Sequence, residues 1–284
     1  MNKVKNVALI LTVLMVFFLA GCGGPSNGDT KGSSDALKII NWHMDPLTEV
    51  YDGESVYFEV EVRNDGRNAV ENVYPRLVGL SDSFVIQDEP GMISTIDPSP
   101  EGYEVSELLS WVFIPMAMQT TIQYPFEVAI DYDYITHSEA IIRVASRDWI
   151  RSLTPEEQEK ELQNLGQISA SAPDGPIHTE FRLSSNTPYA ERGEATVYLE
   201  IKNIGSGRSV DDEVFVTVTS GNLVCDNAGT VNLINGRDGH LKCTAYIGDV
   251  EQWKSIEASV ELSYKYTIRK TDLSVTVVGK SEEF

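Results

Sequence analysis

Two aspartates offer the clearest opening for chemistry in this chain. Asp131 and Asp133 stand two apart in an alternating run, so both side chains project from one face of a strand, about 7 Å from each other. Carboxylates at that separation suit inverting glycoside hydrolysis, one protonating the leaving oxygen and the other activating water. Any strand with a wet face shows the same spacing, however, and solvation is the reading favoured here. Asp211-Asp212-Glu213 is a second acidic group, and hard oxygen donors in an extracellular loop invite calcium. It lacks the Asp-x-Asn-x-Asn-Gly order of a calcium loop. His43, His137, His178 and His240 are scattered, with no pair at metal-ligand spacing. The sequence has no Ser-x-x-Lys, no His-Glu-x-x-His and no phosphate-cradling glycine loop. The expectation is a protein that is not an enzyme, with no catalytic residue, cofactor or metal assigned and calcium as the one ion its acidic loops invite.

The cysteines say more. Cys22 follows Leu19-Ala20-Gly21, behind a start made positive by Lys3 and Lys5 and an apolar run over residues 7–20. That run is shorter than the about 20 apolar residues a membrane span needs, and it ends among Gly21, Gly23, Gly24 and Pro25. This leader resembles those of prokaryotic lipoproteins. The resemblance implies that residues 1–21 are a signal peptide, that a diacylglyceryl group joins the Cys22 sulfur, and that Cys22 becomes the first mature residue. Two acyl chains make membrane contact stable where one is marginal. Residues 23–34 carry no aliphatic or aromatic side chain, so residues 22–34 read as the lipidated cysteine and a flexible tether reaching roughly 20 Å. The expected location is the cell envelope, lipid-anchored on the extracytoplasmic face. Outside the cell the two remaining thiols, Cys225 and Cys243, are most simply a disulfide; a metal site is the rival, weakened by the lack of histidines at ligand spacing. The formal charge is −21, and removing the leader with its two lysines makes it more negative. Nucleic acid and anionic lipid are therefore poor partners.

These residues sit on a repeated frame. Gly53-Glu54 opens a run in which Val56, Phe58, Val60 and Val62 oppose Tyr57, Glu59, Glu61 and Arg63, and Asn64-Asp65-Gly66 closes it. Gly193-Glu194 opens a second, in which Val197, Leu199 and Ile201 oppose Tyr198, Glu200 and Lys202, closed by Asn203-Ile204-Gly205. Period two means strands with one buried and one wet face, and Gly66 and Gly205 are expected to take positive φ at the reversals. Farther on, Phe126 to Tyr134 and Ala258 to Tyr266 alternate in the same way and both end in Tyr-x-Tyr, each expected to be followed by one more strand near residues 140–145 and 273–278. The four tyrosines, in phase with aliphatics, belong to the core; Trp42, Tyr51, Tyr57, Tyr74 and Tyr198 are expected on the surface. Between the copies, Thr154-Pro155-Glu156-Glu157 is a helix start, with the helix running to Leu165 and stopping at Gly166.

The paired segments, with Ala69-Val70-Glu71-Asn72-Val73 after the first and Ser209-Val210 after the second, resemble the immunoglobulin-like domains of prokaryotic surface proteins, particularly the CARDB type, a cell-adhesion-related module. The resemblance implies an all-β protein of two tandem antiparallel sandwiches, at 35–150 and 177–280, joined by a helical connector and loop at 151–176. It brings no catalytic residues. Binding on such frames belongs to loops, which singles out Asp65 and Asn68, Asp211 and Asp212, and Asp238 and His240. The function expected is a cell-surface lipoprotein acting in adhesion, scaffolding or capture of an extracellular protein or glycan. The alternative is a substrate-binding or accessory subunit for envelope or polysaccharide processing, with weak hydrolysis at Asp131 and Asp133.

Overall fold

The structure, a computed structural model, describes residues 35–279 apart from 81, 101–102, 166–167, 185–188, 191–192 and 227. The leader, Cys22, the tether and the expected helix stop at Gly166 lie outside the described residues.

The chain is all-β in the main, and its strands form three largely antiparallel sheets. The first half supplies β1 (Leu37–Asp45), β3 (Val56–Asn64), β7 (Glu107–Pro115) and β5 (Phe84–Asp88), hydrogen-bonded in that order. The second half supplies β10 (Ile177–Leu183), β12 (Glu194–Asn203), β17 (Asp238–Tyr246) and β15 (Leu223–Cys225). The third sheet draws on both halves in the order β16 (Gly229–Asn232), β14 (Glu213–Val218), β18 (Trp253–Val278), β8 (Ile122–Ser146), β4 (Val70–Val78) and β6 (Ile93–Ile96). Short strands complete it: β2 (Glu49–Tyr51) and β13 (Arg208–Ser209) on β18, and β9 (Ser169–Ala170) and β11 (Tyr189–Ala190) on β8.

Alternation explains how the layers stack. On β8 every second residue from Phe126 to Val144 is buried, and on β18 every second residue from Ile256 to Ile268. One face of this long pair is therefore apolar along its length, and burying each large side chain there stabilises by roughly 1.5–3 kcal/mol. Both four-stranded sheets lie on that face. Phe58 and Phe113 meet Phe126 edge-on at 5.4 and 6.1 Å, while the Thr179 amide donates to Ser138 Oγ at 3.3 Å. A single hydrophobic cluster runs through both halves. The extra strands expected near 140–145 and 273–278 are instead continuations of β8 and β18. The polar residues between the apolar stretches, such as Thr136 and Ser138, keep the period and are buried with them.

At the middle of the pair, Tyr132 lies opposite Tyr266 and Tyr134 opposite Tyr264. Their rings form a closed square with centroids 5.7 to 6.4 Å apart, distances at which tilted and edge-on aromatic pairs attract. The Tyr264 hydroxyl shares a hydrogen with Thr136 Oγ1 at 2.6 Å and accepts from the Ile177 amide. The second tyrosine of each pair holds its own Asn-x-Gly reversal: Asn68 N donates to Tyr134 Oη, and Tyr266 Oη donates to Asn203 Oδ1. Buried Asn64 donates to the carbonyls of Asn68 and Ile96, and Asn203 to those of Gly207 and Gly236. Gly66 and Gly205 do not take positive φ as expected; glycine is needed because a Cβ at either would overlap the tyrosine hydroxyl. Positive φ falls on the opening glycines, Gly53 at 78° and Gly193 at 80°. Gly66→Ala should therefore cost about 1–3 kcal/mol of stability by overpacking. The same substitution made in a Tyr134→Phe chain should cost much less, as read in denaturant melts; no loss in the wild type, or an equal loss in both backgrounds, contradicts the assignment.

Cys225 and Cys243 form a disulfide. They face each other on β15 and β17, so the bridge lies within one sheet, unlike the inter-sheet bridge of antibody domains. By the chain-entropy relation a loop of this size is worth roughly 3 kcal/mol; Cys225→Ala with Cys243→Ala should lower stability by about that much, and an unchanged melt would show that the bridge contributes nothing. The connector helix α2 (Pro155–Leu165) follows an unexpected short helix, α1 (Arg147–Ser152). Thr154 and Glu157 form the capping box, with the Thr154 amide donating to Glu157 Oε2 at 2.9 Å and the Glu157 amide to Thr154 Oγ1 at 3.4 Å. Ile150, Leu165 and Ala145 make a small cluster of their own.

Candidate functional site

The face of β8 and β18 turned away from the core is where the structure leaves side chains free to act. Asp131 and Asp133 lie on it. Asp131 accepts from Arg76 Nη2 at 3.1 Å and Nε at 3.2 Å, and from the Thr267 hydroxyl at 2.6 Å. Asp133 accepts from Asn72 Nδ2 at 2.8 Å, with Lys265 Nζ at 4.0 Å. A carboxylate held by a two-pronged guanidinium and a hydroxyl is fixed in place, which leaves little room for the substrate oxygen or water that a catalytic carboxylate must reach. The same face continues this pattern with Glu127 on Arg269 and Glu261 near His137 Nε2 at 3.7 Å. Glu139 and Glu257, farther along, have no cationic partner among the described residues.

The expected binding loops are largely engaged in holding themselves. Asp65 is gripped by Arg63 and Lys38; partial burial pushes its carboxyl up, but those hydrogen bonds outweigh it and hold the carboxyl below its ordinary value. Asn68 donates to the Ile135 carbonyl at 2.8 Å. Asp211 and Asp212 both have positive φ, and Asp212 accepts from Arg208 at 2.7 and 2.8 Å, which lowers its pKa. Asp238 and His240 are not in a loop. The reversal is completed by Asn235 and Gly236, at φ 54° and 71°, as a tight hairpin turn of the Asn-Gly type requires, so β17 begins at Asp238 and both residues are exposed on it. Among the described residues no group of three or more His, Cys, Asp or Glu could hold a metal ion, and no helix is long and apolar enough to cross a membrane. As expected, Trp42, Tyr51, Tyr57, Tyr74 and Tyr198 are exposed.

His178, on β10, is buried. Its Nδ1 makes no hydrogen bond and its Nε2 lies 3.6 Å from Glu180 Oε1. Burial lowers its pKa, against the pull of Glu180. As pH falls through the ordinary histidine value of 6.5, the unfolded chain takes up a proton that the folded chain resists, so stability drops. The melting temperature should fall more steeply between pH 7.5 and 5.5 in the wild type than in His178→Gln; equal slopes would contradict this.

One feature of the face escaped the sequence. Glu139, Ile141, Ser255, Glu257 and Ser259 floor a trough of about 890 Å³, walled by β9 on one side and the turn at residues 219–222 on the other. Ser171 Oγ accepts from the Glu139 amide, and Ser220 Oγ donates to the Glu257 carbonyl, fixing both walls to the floor. Four separate stretches of chain build it, so no local motif could announce it.

No protein-family model matches this chain, and no curated protein sequence is similar to it. Among solved structures, the secreted serine protease VesC from Vibrio cholerae is similar at 12% identity, over 77% of this chain and 48% of that one, with a TM-score of 0.21. The chain thus spans about half the length of that protein.

Proposed function

We propose that this chain is a lipid-anchored protein of the cell envelope whose two immunoglobulin-like halves, similar to CARDB modules, present binding surfaces to an extracellular partner in adhesion or scaffolding. The observation that carries the binding reading over the hydrolytic one is the occupation of Asp131 by Arg76 and Thr267. That carboxylate is a structural member of the sheet, held by its neighbours on β4 and β18. The Leu-Ala-Gly-Cys leader supports the anchor. It follows that partner capture is the activity, with the acyl chains keeping the protein at the membrane.

Two outcomes are expected. Cys22→Ser should abolish acyl labelling and partition into detergent; equal labelling of both chains contradicts the anchor. The purified chain should retain a partner from surface extracts and turn over neither glycan nor peptide substrates. Turnover lost in Asp131→Asn or Asp133→Asn, at unchanged melting temperature, would replace binding by hydrolysis.

A further inference from the structure

We infer that the trough between β9 and the 219–222 turn binds a neutral or amino-bearing oligosaccharide, an inference that rests on the partner-binding reading above. Its volume, about 890 Å³, lies within the range of sites that enclose a small ligand, about 300–1,000 Å³. Its chemistry is that of hydroxyls and carboxylates. Ser255 and Ser259 on the floor and Ser169 on the wall make no side-chain hydrogen bond within the described residues, and Asn222 adds an amide at the rim. Hydroxyls and amides both donate and accept, as sugar hydroxyls do, so each can find a complement along a glycan.

The two glutamates sharpen this. In register, Glu139 faces Ser259 and Glu257 faces Ile141, which makes the acids diagonal neighbours about 7–8 Å apart. Elsewhere on this face of β8 and β18, Glu127 has Arg269, Asp131 has Arg76, Asp133 has Asn72, and Glu261 has His137. The acids in the trough have none. An ionised carboxylate only accepts hydrogen bonds, and those from a sugar hydroxyl or ammonium would be roughly twice as strong as neutral ones. A uronate or sulfated sugar would meet two like charges instead. Apolar surface for a sugar ring's C–H face is present as well: Ile141 is 45% exposed in the floor, and Trp253, 50% exposed, stands two residues before Ser255 on the same face with the Arg143 guanidinium 5.8 Å from its ring.

The fold itself does not demand this trough. Aligned with Tyr132 on Tyr264, the two repeats set Ser255, Glu257 and Ser259 against Gln123, Pro125 and Glu127 of β8, where Glu127 is paired with Arg269. At these three positions the first repeat thus carries an amide, a proline and a paired acid where the trough has two serines and Glu257.

The test is an array of neutral, amino-bearing and uronate-bearing oligosaccharides, with a lysine-rich peptide alongside. It would be probed with the full chain, with Glu139→Gln plus Glu257→Gln, and with Ser255→Trp, which fills the trough. Exposed polar exchange at the two glutamates should leave the melting temperature unchanged, so loss of binding in that variant reports the site even if Ser255→Trp folds poorly. Neutral or amino sugars should be retained, with affinity at least tenfold lower in the double variant; retention confined to amino sugars would identify ammonium as the group the acids take. No retained sugar, preference for uronates, retention of the peptide in place of sugars, or affinity unchanged in the double variant would overturn the inference. Capture of a partner from surface extracts that persists equally in the double variant would sink the trough and leave the binding reading standing, whereas a wild-type chain that captures nothing would sink that reading itself.

Discussion

β8 and β18 run antiparallel from Ile122 opposite Val277 to Ala145 opposite Trp253, interrupted only by a shift between Lys270 and Leu273. That one pairing fixes where everything else can go. Because side chains alternate, it presents a buried, mainly apolar face on which both four-stranded sheets stack, and an outward face that carries Asp131, Asp133, Glu139 and Glu257. The tyrosine square at its centre joins the two repeats by ring contacts; Tyr266 Oη donates to Asn203 in its own half, while Tyr134 Oη accepts from Asn68 and donates to the Asp174 carbonyl ahead of β10. The arms that precede the repeats cross over: Asp35, ahead of β1, accepts from the Ser206 amide of the second half, and Asp174, ahead of β10, lies within 3.5 Å of Asn68 Nδ2 in the first. What reads in the sequence as two modules on a string is knit together at the seam.

Much of this was legible where chemistry is local. Period two in Val56–Val62 and Val197–Ile201 gave the strands and their buried faces, Thr154 and Glu157 gave the helix start, and two leftover thiols gave the disulfide. The tyrosines' phase placed them in the core. What stayed hidden was set by partners distant in sequence. Nothing local tells that a run such as Phe126 to Tyr134 goes on unbroken to Ser146, because whether Thr136 and Ser138 are wet or buried depends on β10 packing above them. Gly66 and Gly205 look like ordinary turn glycines; their need for a missing side chain comes from tyrosines far along the chain. Asp238 and His240 read as loop residues, but the reversal closes at Asn235 and Gly236, and pairing with β12 puts both on a strand.

The wet face shows how burial and pairing separate structural acids from available ones. Asp131 and Asp133 were the obvious pair in the sequence, and the geometry gives them partners that hold them in place. Glu139 and Glu257 carried no signal at all, since a glutamate on an outward position is what solvation alone would put there. Only the register of β8 against β18 makes them neighbours, and only the walls at 169–171 and 219–222 turn their surroundings into a concavity.

Calorimetry of the full chain tests most directly whether the β8–β18 seam makes the repeats one structural unit. A single transition is predicted, with the calorimetric enthalpy equal to the van't Hoff enthalpy as two-state unfolding requires, and with Tyr266→Ala lowering the whole transition. Two separable transitions, with only the later one moved by Tyr266→Ala, would contradict the account and return the protein to independent modules on a connector.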